Sequence, residues 1–328
     1  MNNQIRFIRL VKQHIPSIIK LLTERQEYES RVFKHYDFDN HRIELVEKLE
    51  TQFEKHELIG VGAFINDILI GYIFGEITNN SNQQKKIHVS YEGMAVKQNH
   101  SIEIVRQLYC KVATYWIEND CFEHSVIVPL GNKQYYEAFQ HLSFAIEQVY
   151  AVLSVKEYEP FICDTSITVR DANQGDKETL KGMSHIILKT QNGSPTFANV
   201  SDELVTRITR GYESLVDGDD IILIACIEEH AVGFHVYEVV KSSLMYPNYS
   251  LCLDVAATCP NHMNQGIGKK LMNEGVVFAS KRGFKFIQTD WKVTNLSASN
   301  YWPKCGFIPL AYRLSRKIDN DYFEYSFD

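Results

Sequence analysis

Gly266 and Gly268 lie in the run HMNQGIGKKLM, between a stretch of strand-formers and a stretch of helix-formers. Such a position can do chemistry without any side chain. Glycine accepts a positive φ and has no Cβ to hold a ligand off the backbone. At a helix start there, the N–H groups of Gly266, Ile267, Gly268 and Lys269 have no partner within the helix. With the positive end of the helix dipole behind them, they form an anion site suited to a pyrophosphate. The spacing is neither G-x-G-x-x-G nor G-x-x-x-x-G-K-[ST], so neither a dinucleotide fingerprint nor a triphosphatase loop is indicated. Taken alone, the same residues also read as a tight turn before a helix. Cys259 and Cys305 read as small buried hydrophobes rather than nucleophiles, and His262 as a surface histidine.

The flanking segments must position that loop. In Tyr249–Thr258, Leu251, Leu253 and Val255 alternate with Cys252, Asp254 and Ala256, the period of a strand. Pro260 ends it. Leu271, Met272, Val276 and Ala279 then form a helical stripe, and Gly283 stops the helix. The glycines therefore sit at a strand-to-helix crossover.

The chain repeats itself. "FIR" (Phe7–Arg9) and "TVR" (Thr168–Arg170) each open a half as a short strand before a helical pattern. Hairpins follow at Phe64–Ile77 and Cys226–Val240. Gly71 and Gly233, Phe122 and Phe284, and Phe144 and Phe307 keep an offset of 162 or 163 residues. A constant offset over most of the chain points to duplication. Each half is expected to be an α/β domain with a mixed, mostly antiparallel sheet flanked by helices. The expected bounds are 1–157 and 166–328, with Pro160 at the join.

Composition narrows the function. The chain has 328 residues, 45% hydrophobic, with a formal net charge of −7. That balance argues against a nucleic-acid partner. The apolar runs are strand-sized, so no membrane span is expected. The N-terminus lacks an apolar signal region, and the seven scattered cysteines contain no C-x-x-C pair. A cytoplasmic protein without a metal is expected.

After a strand at Phe284–Asp290 comes NLSASNYWPKCGF, Asn295–Phe307. Together with the glycine loop, this resembles the GNAT N-acetyltransferase superfamily. That family pairs a [Q/R]-x-x-G-x-[G/A] loop with a later Asn-x-x-Ala-x-x-x-Tyr-x-Lys-x-Gly-Phe signature. Gly266 and Gly268 fall on the first, and Asn295, Ala298, Lys304, Gly306 and Phe307 on the second. With the repeat, the resemblance implies a tandem GNAT protein using acetyl-CoA.

The resemblance implies that the pyrophosphate sits on Gln265–Lys269. The pantetheine arm would pair with Ala256, Ala257 and Thr258 like an added strand. The Ala257 N–H would hold the thioester oxyanion. Asn295 would bond the pantetheine side of the cofactor, with Trp302 beside it. Asp254 is the expected base for the acceptor amine, directly or through a water, with His235 and Glu238 as weaker alternatives. Two departures stand out. Met263 occupies the Gln/Arg position of the loop motif, so phosphate binding must rest on backbone donors. Trp302 occupies the usual tyrosine position and cannot donate a proton to a thiolate, which leaves the acid unassigned. Tyr301 is adjacent, but neighbours on a helix point about 100° apart.

The first half departs further. Glu103 and Val105 stand where the second half has its glycines, and Glu103 would repel a phosphate near a helix start. His141-Leu142-Ser143 replaces Lys304-Cys305-Gly306, while Asn132 matches Asn295. This half is expected to keep the fold without cofactor binding. Tyr135, Tyr136 and Phe139 read as core packing, or as the lining of an acceptor pocket. Lys189–Glu203 reads as a substrate loop or a solvated linker, and the acidic aromatic tail Ile318–Asp328 as a last strand or a cover for the partner domain.

The expected function is acetyl transfer from acetyl-CoA to a primary amine, on a small molecule, by direct attack. The alternatives are acetylation of a protein lysine or N-terminus, and a non-catalytic acyl-CoA-binding protein. A homodimer is compatible with the sequence.

Overall fold

The structure is a computed structural model and describes residues 4–33, 42–55, 57–80, 83–241 and 243–319. The tail beyond residue 319, with any last strand it forms, lies outside the described residues.

The first half runs β1 (Arg6–Arg9), α1 (Ile15–Val32), α2 (Arg42–Glu54), β2 (Leu58–Ile65), β3 (Ile68–Asn79), β4 (Lys85–Val89), β5 (Met94–Val96), α3 (Glu103–Ile117), β6 (Glu123–Pro129), α4 (Lys133–Gln140) and β7 (Ala145–Ser154). The second repeats the order with β8 (Ile167–Asp171), α5 (Lys177–Asn192), α6 (Asp202–Ser214), β9 (Ile221–Ile227), β10 (His230–Glu238), β11 (Ser250–Thr258), α7 (Ile267–Lys281), β12 (Phe286–Lys292), α8 (Leu296–Lys304) and β13 (Ile308–Lys317). The α1 stripe of Ile15, Ile18, Leu21 and Leu22 is buried, as are Leu180 and Met183 of α5. Both hairpins turn on two residues at positive φ, Asn66-Asp67 and Glu228-Glu229. This is the backbone that matches strand twist in a two-residue hairpin. His230 follows the second turn and starts β10.

The chain divides into two units, and their bounds depart from a simple cut at the join. Unit 1 is Met1–Gln148 with Ser243–Met245 and Leu310–Asp328; unit 2 is Val149–Ser242 with Tyr246–Pro309. Each unit completes its sheet with the last strand of the other half. In unit 1 the order is β1-β2-β3-β4-β6-β13, with β5 on β3; in unit 2 it is β7-β12-β11-β10-β9-β8. β13 pairs antiparallel with β6 from Ala311↔Pro129 to Lys317↔Glu123. The reason is apolar burial: Leu314 of β13 is wholly buried in the unit 1 core with Val126 and Val128.

The duplication is visible atom by atom. A Cβ on Gly71 would stand 3.0 Å from Ile104 Cγ2, and one on Gly233 would stand 2.9 Å from Ile267 Cγ2. Each glycine thus lets a hairpin strand approach the first turn of the long helix. Ser143 and Gly306, equivalent by the offset, both have positive φ. Asn132 and Asn295 both cap a helix, accepting from Gln134 N at 3.0 Å and Ala298 N at 3.1 Å.

Candidate active site

In unit 2, β11 and β12 begin as a parallel pair and then part. Their register is Ser250↔Phe286, Leu251↔Ile287 and Cys252↔Gln288, and goes no further. Thr289 Oγ1 donates to Leu253 O at 2.9 Å just past the last pair. From there to Thr258, β11 is paired only on its β10 side. Ala256, Ala257 and Thr258 lie in this stretch, so an extended ligand chain could add to the sheet there.

The other edge carries a bulge. Val236 pairs Val255 and Tyr237 pairs Leu253, which leaves Asp254 without an opposite residue. A bulge re-aims side chains and backbone groups locally. Asp254 is exposed. Partial desolvation, and then the charge of Asp220, raise its carboxyl above the ordinary aspartate value. Both causes push it in the direction a general base needs.

The glycine loop has the geometry of an anion cradle. Asn264 has φ 64° and Gly266 has φ 87°. Gly266 is the N-cap of α7, in the left-handed region and without a side-chain cap. Its own carbonyl accepts from Lys270 N at 3.0 Å. Among the described residues, no acceptor meets the N–H groups of Gln265 to Lys269. The last four of these, Gly266 to Lys269, are the orphan donors of a 15-residue helix. The side chains are otherwise engaged. Gln265 folds back, its Nε2 donating to Asn261 O at 3.1 Å. Lys269 Nζ lies 5.0 Å from the centre of the Phe161 ring. Met263 is 49% exposed and makes no polar contribution.

The α8 residues divide unexpectedly. Trp302 is buried, 6.2 Å from the His235 ring and 5.3 Å from Phe307, as a core residue would be. Tyr301 points to the loop: a Cβ on Gly268 would lie 3.0 Å from its hydroxyl. That hydroxyl is buried without a hydrogen-bond partner among the described residues. Burial, and then the neighbouring Cys305 thiol, raise its pKa, although that thiol does not meet hydrogen-bond geometry. The sequence pattern favoured position 302, and helical spacing alone could not show that 301 faces the glycines. Asn295 spends its side-chain oxygen on capping α8, which leaves its amide N–H₂ for a ligand.

The weaker candidates separate clearly. His235 is fully buried with Nδ1 3.1 Å from the Tyr237 hydroxyl, and burial lowers its pKa to about 3. It is neutral, and too weak a base for an ammonium acceptor. Glu238 lies opposite Cys252 at the far end of β10. Burial pushes the Cys305 thiol up to about 11 and raises Cys259, so neither is an activated nucleophile. In the loop between α5 and α6, Thr196 Oγ1 lies 2.9 Å from Thr294 Oγ1, next to Asn295.

Unit 1 lacks this arrangement. β4 pairs in parallel with β6 as far as Val89↔Val126, and a single 3-10 turn, Tyr91–Gly93, then separates β4 from β5. Where unit 2 has a one-residue bulge at Asp254, unit 1 has a break. α3 starts at Glu103, whose side chain pairs with Arg106 across the helix mouth.

Comparison with known proteins agrees with this geometry. Residues 189–307 match the sequence model of the Acetyltransferase (GNAT) family. A search of curated protein sequences finds no significant match. Among solved structures, a GCN5-related N-acetyltransferase from Sphaerobacter thermophilus is 13% identical with a TM-score of 0.57, covering 95% of both chains. A tandem GNAT protein from the clavulanic acid biosynthesis pathway is 10% identical with a TM-score of 0.53, covering 96% of this chain and 98% of that one. At such identities these two show the fold. The second half thus matches the GNAT family model over residues 189–307, and the chain as a whole has the fold of a tandem GNAT protein.

Proposed function

We propose that unit 2 transfers an acetyl group from acetyl-CoA to a primary amine by direct attack in a ternary complex. The observation that carries this reading is the pairing of two open features on one strand: the unpaired end of β11 and the donor-lined loop that follows it. The first fits an extended amide chain and the second fits a pyrophosphate. The residues therefore suit the cofactor, which supplies a thioester activated for acyl transfer. Gln265 to Lys269 hold its phosphates through backbone N–H groups. Ala256, Ala257 and Thr258 hold its arm, and the Ala257 N–H stabilises the oxyanion. Asn295 offers its amide N–H₂, while Trp302 supports the site from the core instead of touching the cofactor.

Asp254 takes the proton released by the attacking amine, directly or through one water. Tyr301 is the proton donor for the departing thiolate, since its hydroxyl faces the loop and has no competing acceptor. The acceptor is a small molecule that enters beside the α5–α6 loop, and the chain works in the cytoplasm. Unit 1 contributes no acetyl-CoA site.

The test is free-thiol release from acetyl-CoA with a panel of small primary amines and lysine peptides. Release that depends on a small amine supports the reading. Release with peptides alone would make the enzyme a protein acetyltransferase. Acetyl-CoA binding without release would make it a sensor.

A further inference from the structure

Unit 1 has lost the glycine loop, yet it contains a cavity of about 320 Å³. It opens where the chain leaves β5 and β6, between Val96–Ile102 and Asn132–Tyr135, and Arg25 and Glu29 of α1 form its inner side. At roughly 30 Å³ per water, it could hold about ten water molecules or a small organic ligand.

The inner side is built around a buried charge pair. Arg25 Nε lies 3.1 Å from Glu29 Oε1, with both side chains at most 4% exposed. Arg25 Nη1 donates to the Met94 carbonyl, and the Tyr91 hydroxyl donates to Glu29 Oε2. The guanidinium lies over the Tyr91 ring, 4.3 Å from its centre. Glu29 Oε2 accepts a hydrogen bond and Oε1 has only the ion pair, whereas Arg25 Nε and Nη2 are both buried with no hydrogen-bond acceptor among the described residues. A buried charged donor without an acceptor is costly, and such groups in native proteins generally have a reason.

The rest of the lining favours an anion. Its charged members are Arg25 and Lys97 against Glu29, two cations to one carboxylate. The Asn132 carbonyl oxygen is taken by Gln134 N, which leaves its amide N–H₂ as a donor toward the cavity. The second half has Ile187 and Leu188 at the position of Arg25 by the repeat offset, so the pair is not a relic of the shared fold. A purely structural role would have been met by apolar residues at least as well.

We propose that unit 1 is a binding domain for a small organic oxyanion, a carboxylate or a phosphate ester, seated on Arg25 with Lys97 and Asn132 around it. The glycine-free α3 start and Glu103 make it a site of different specificity from the acetyl-CoA site of unit 2. The proposal does not rest on catalysis by unit 2.

The test is thermal unfolding of the full chain titrated with succinate, and separately with glycerol phosphate. A ligand that binds the native state raises the melting temperature saturably. Two variants carry the decision. Arg25→Met with Glu29→Leu removes both charges together, a change that buried pairs often tolerate. Gln134→Trp obstructs the cavity from an exposed position and leaves the pair intact. The expected result is a saturable shift with one probe, weakened about tenfold or more in both variants, the loss expected for a charge-assisted hydrogen bond. The probe that binds identifies the carboxylate or the phosphate as the source. No saturable shift with either probe, or a shift that both variants retain, overturns the proposal. So does acetyl-CoA binding that Gln134→Trp abolishes, since the cavity would then be a second cofactor site.

Discussion

The Tyr301 hydroxyl stands 3.0 Å from the point where a Cβ on Gly268 would lie, so a tyrosine on α8 touches the first turn of α7 because that position is glycine. The proposed role of Tyr301 as proton donor, in place of the tyrosine that Trp302 replaces, rests on this contact. It also separates stability from activity. The hydroxyl is buried and unpaired, so Tyr301→Phe removes an unsatisfied group and should leave the protein as stable or about 1 kcal/mol more stable. The same change should lower kcat about 10- to 100-fold, because a thiol of pKa roughly 8.5 leaves with only modest help. Denaturant melts and steady-state kinetics on the one variant check both. Unchanged kcat would remove Tyr301 from the mechanism.

As the proposed base, Asp254 should set the acid side of the pH profile. Its carboxyl is raised by desolvation and by Asp220, so the group becomes a competent base only above the ordinary aspartate range. Activity should therefore fall as pH drops through that raised value. Asp254→Asn should cost about 10²- to 10⁴-fold in kcat/KM and abolish that limb. Asp220→Asn should shift the limb to lower pH by removing the neighbouring charge. A wild-type limb preserved in Asp254→Asn would assign the base elsewhere.

Gly275 is a structural counterpart. A Cβ there would fall 1.8 Å from the Tyr237 hydroxyl, so α7 can lie on β10 only with glycine at this position. Gly275→Ala should destabilise the protein by about 1–3 kcal/mol, as overpacking does. Adding Tyr237→Phe should recover only part of that loss, because ring carbon Cζ would still lie 2.5 Å from the new Cβ, measured as a double-mutant cycle. Purely additive effects would show that the contact is not the cause.

Two buried histidines make stability depend on pH. Burial lowers His124 to about 4 and His235 to about 3. His124 is fixed by the Tyr109 hydroxyl at 2.9 Å and the Cys121 carbonyl at 3.1 Å. In the unfolded chain each titrates near 6.5, so below that pH the unfolded state binds protons that the folded state does not. The contribution is complete above about pH 6.5 and shrinks by on the order of 1.4 kcal/mol per pH unit and per histidine as pH falls. Denaturant unfolding at pH 7 and pH 5 should show the loss, and His124→Gln should reduce it. An equal slope in the variant would contradict this source.

Much of the fold was legible because it is periodic. The stripes of α1 and α7, the hairpins around Asn66-Asp67 and Glu228-Glu229, and the constant offset of the glycines all follow from local spacing. The exchange of β7 and β13 was not, since pairing between strands far apart in sequence depends on which core Leu314 completes. The glycine loop was readable from its place between strand and helix. The bulge that frees Asp254 was not, because one extra residue in a strand leaves no mark on an apolar alternation. Trp302 was expected beside the cofactor from its motif position, but its large apolar ring is drawn into the core with His235 and Phe307. Tyr301 could then be recognised only from its contact with Gly268.

In the proposed mechanism one backbone loop, in unit 2 alone, holds the cofactor. Calorimetric titration of the full chain with acetyl-CoA tests it most directly, beside Gly266→Glu, which introduces the residue that unit 1 carries at this position. The glutamate brings a like charge to the phosphate site and a side chain to a backbone at φ 87°. The expected result is one acetyl-CoA per wild-type chain and none in the variant, with the variant still folded. Two per chain, or undiminished binding in Gly266→Glu, would contradict it.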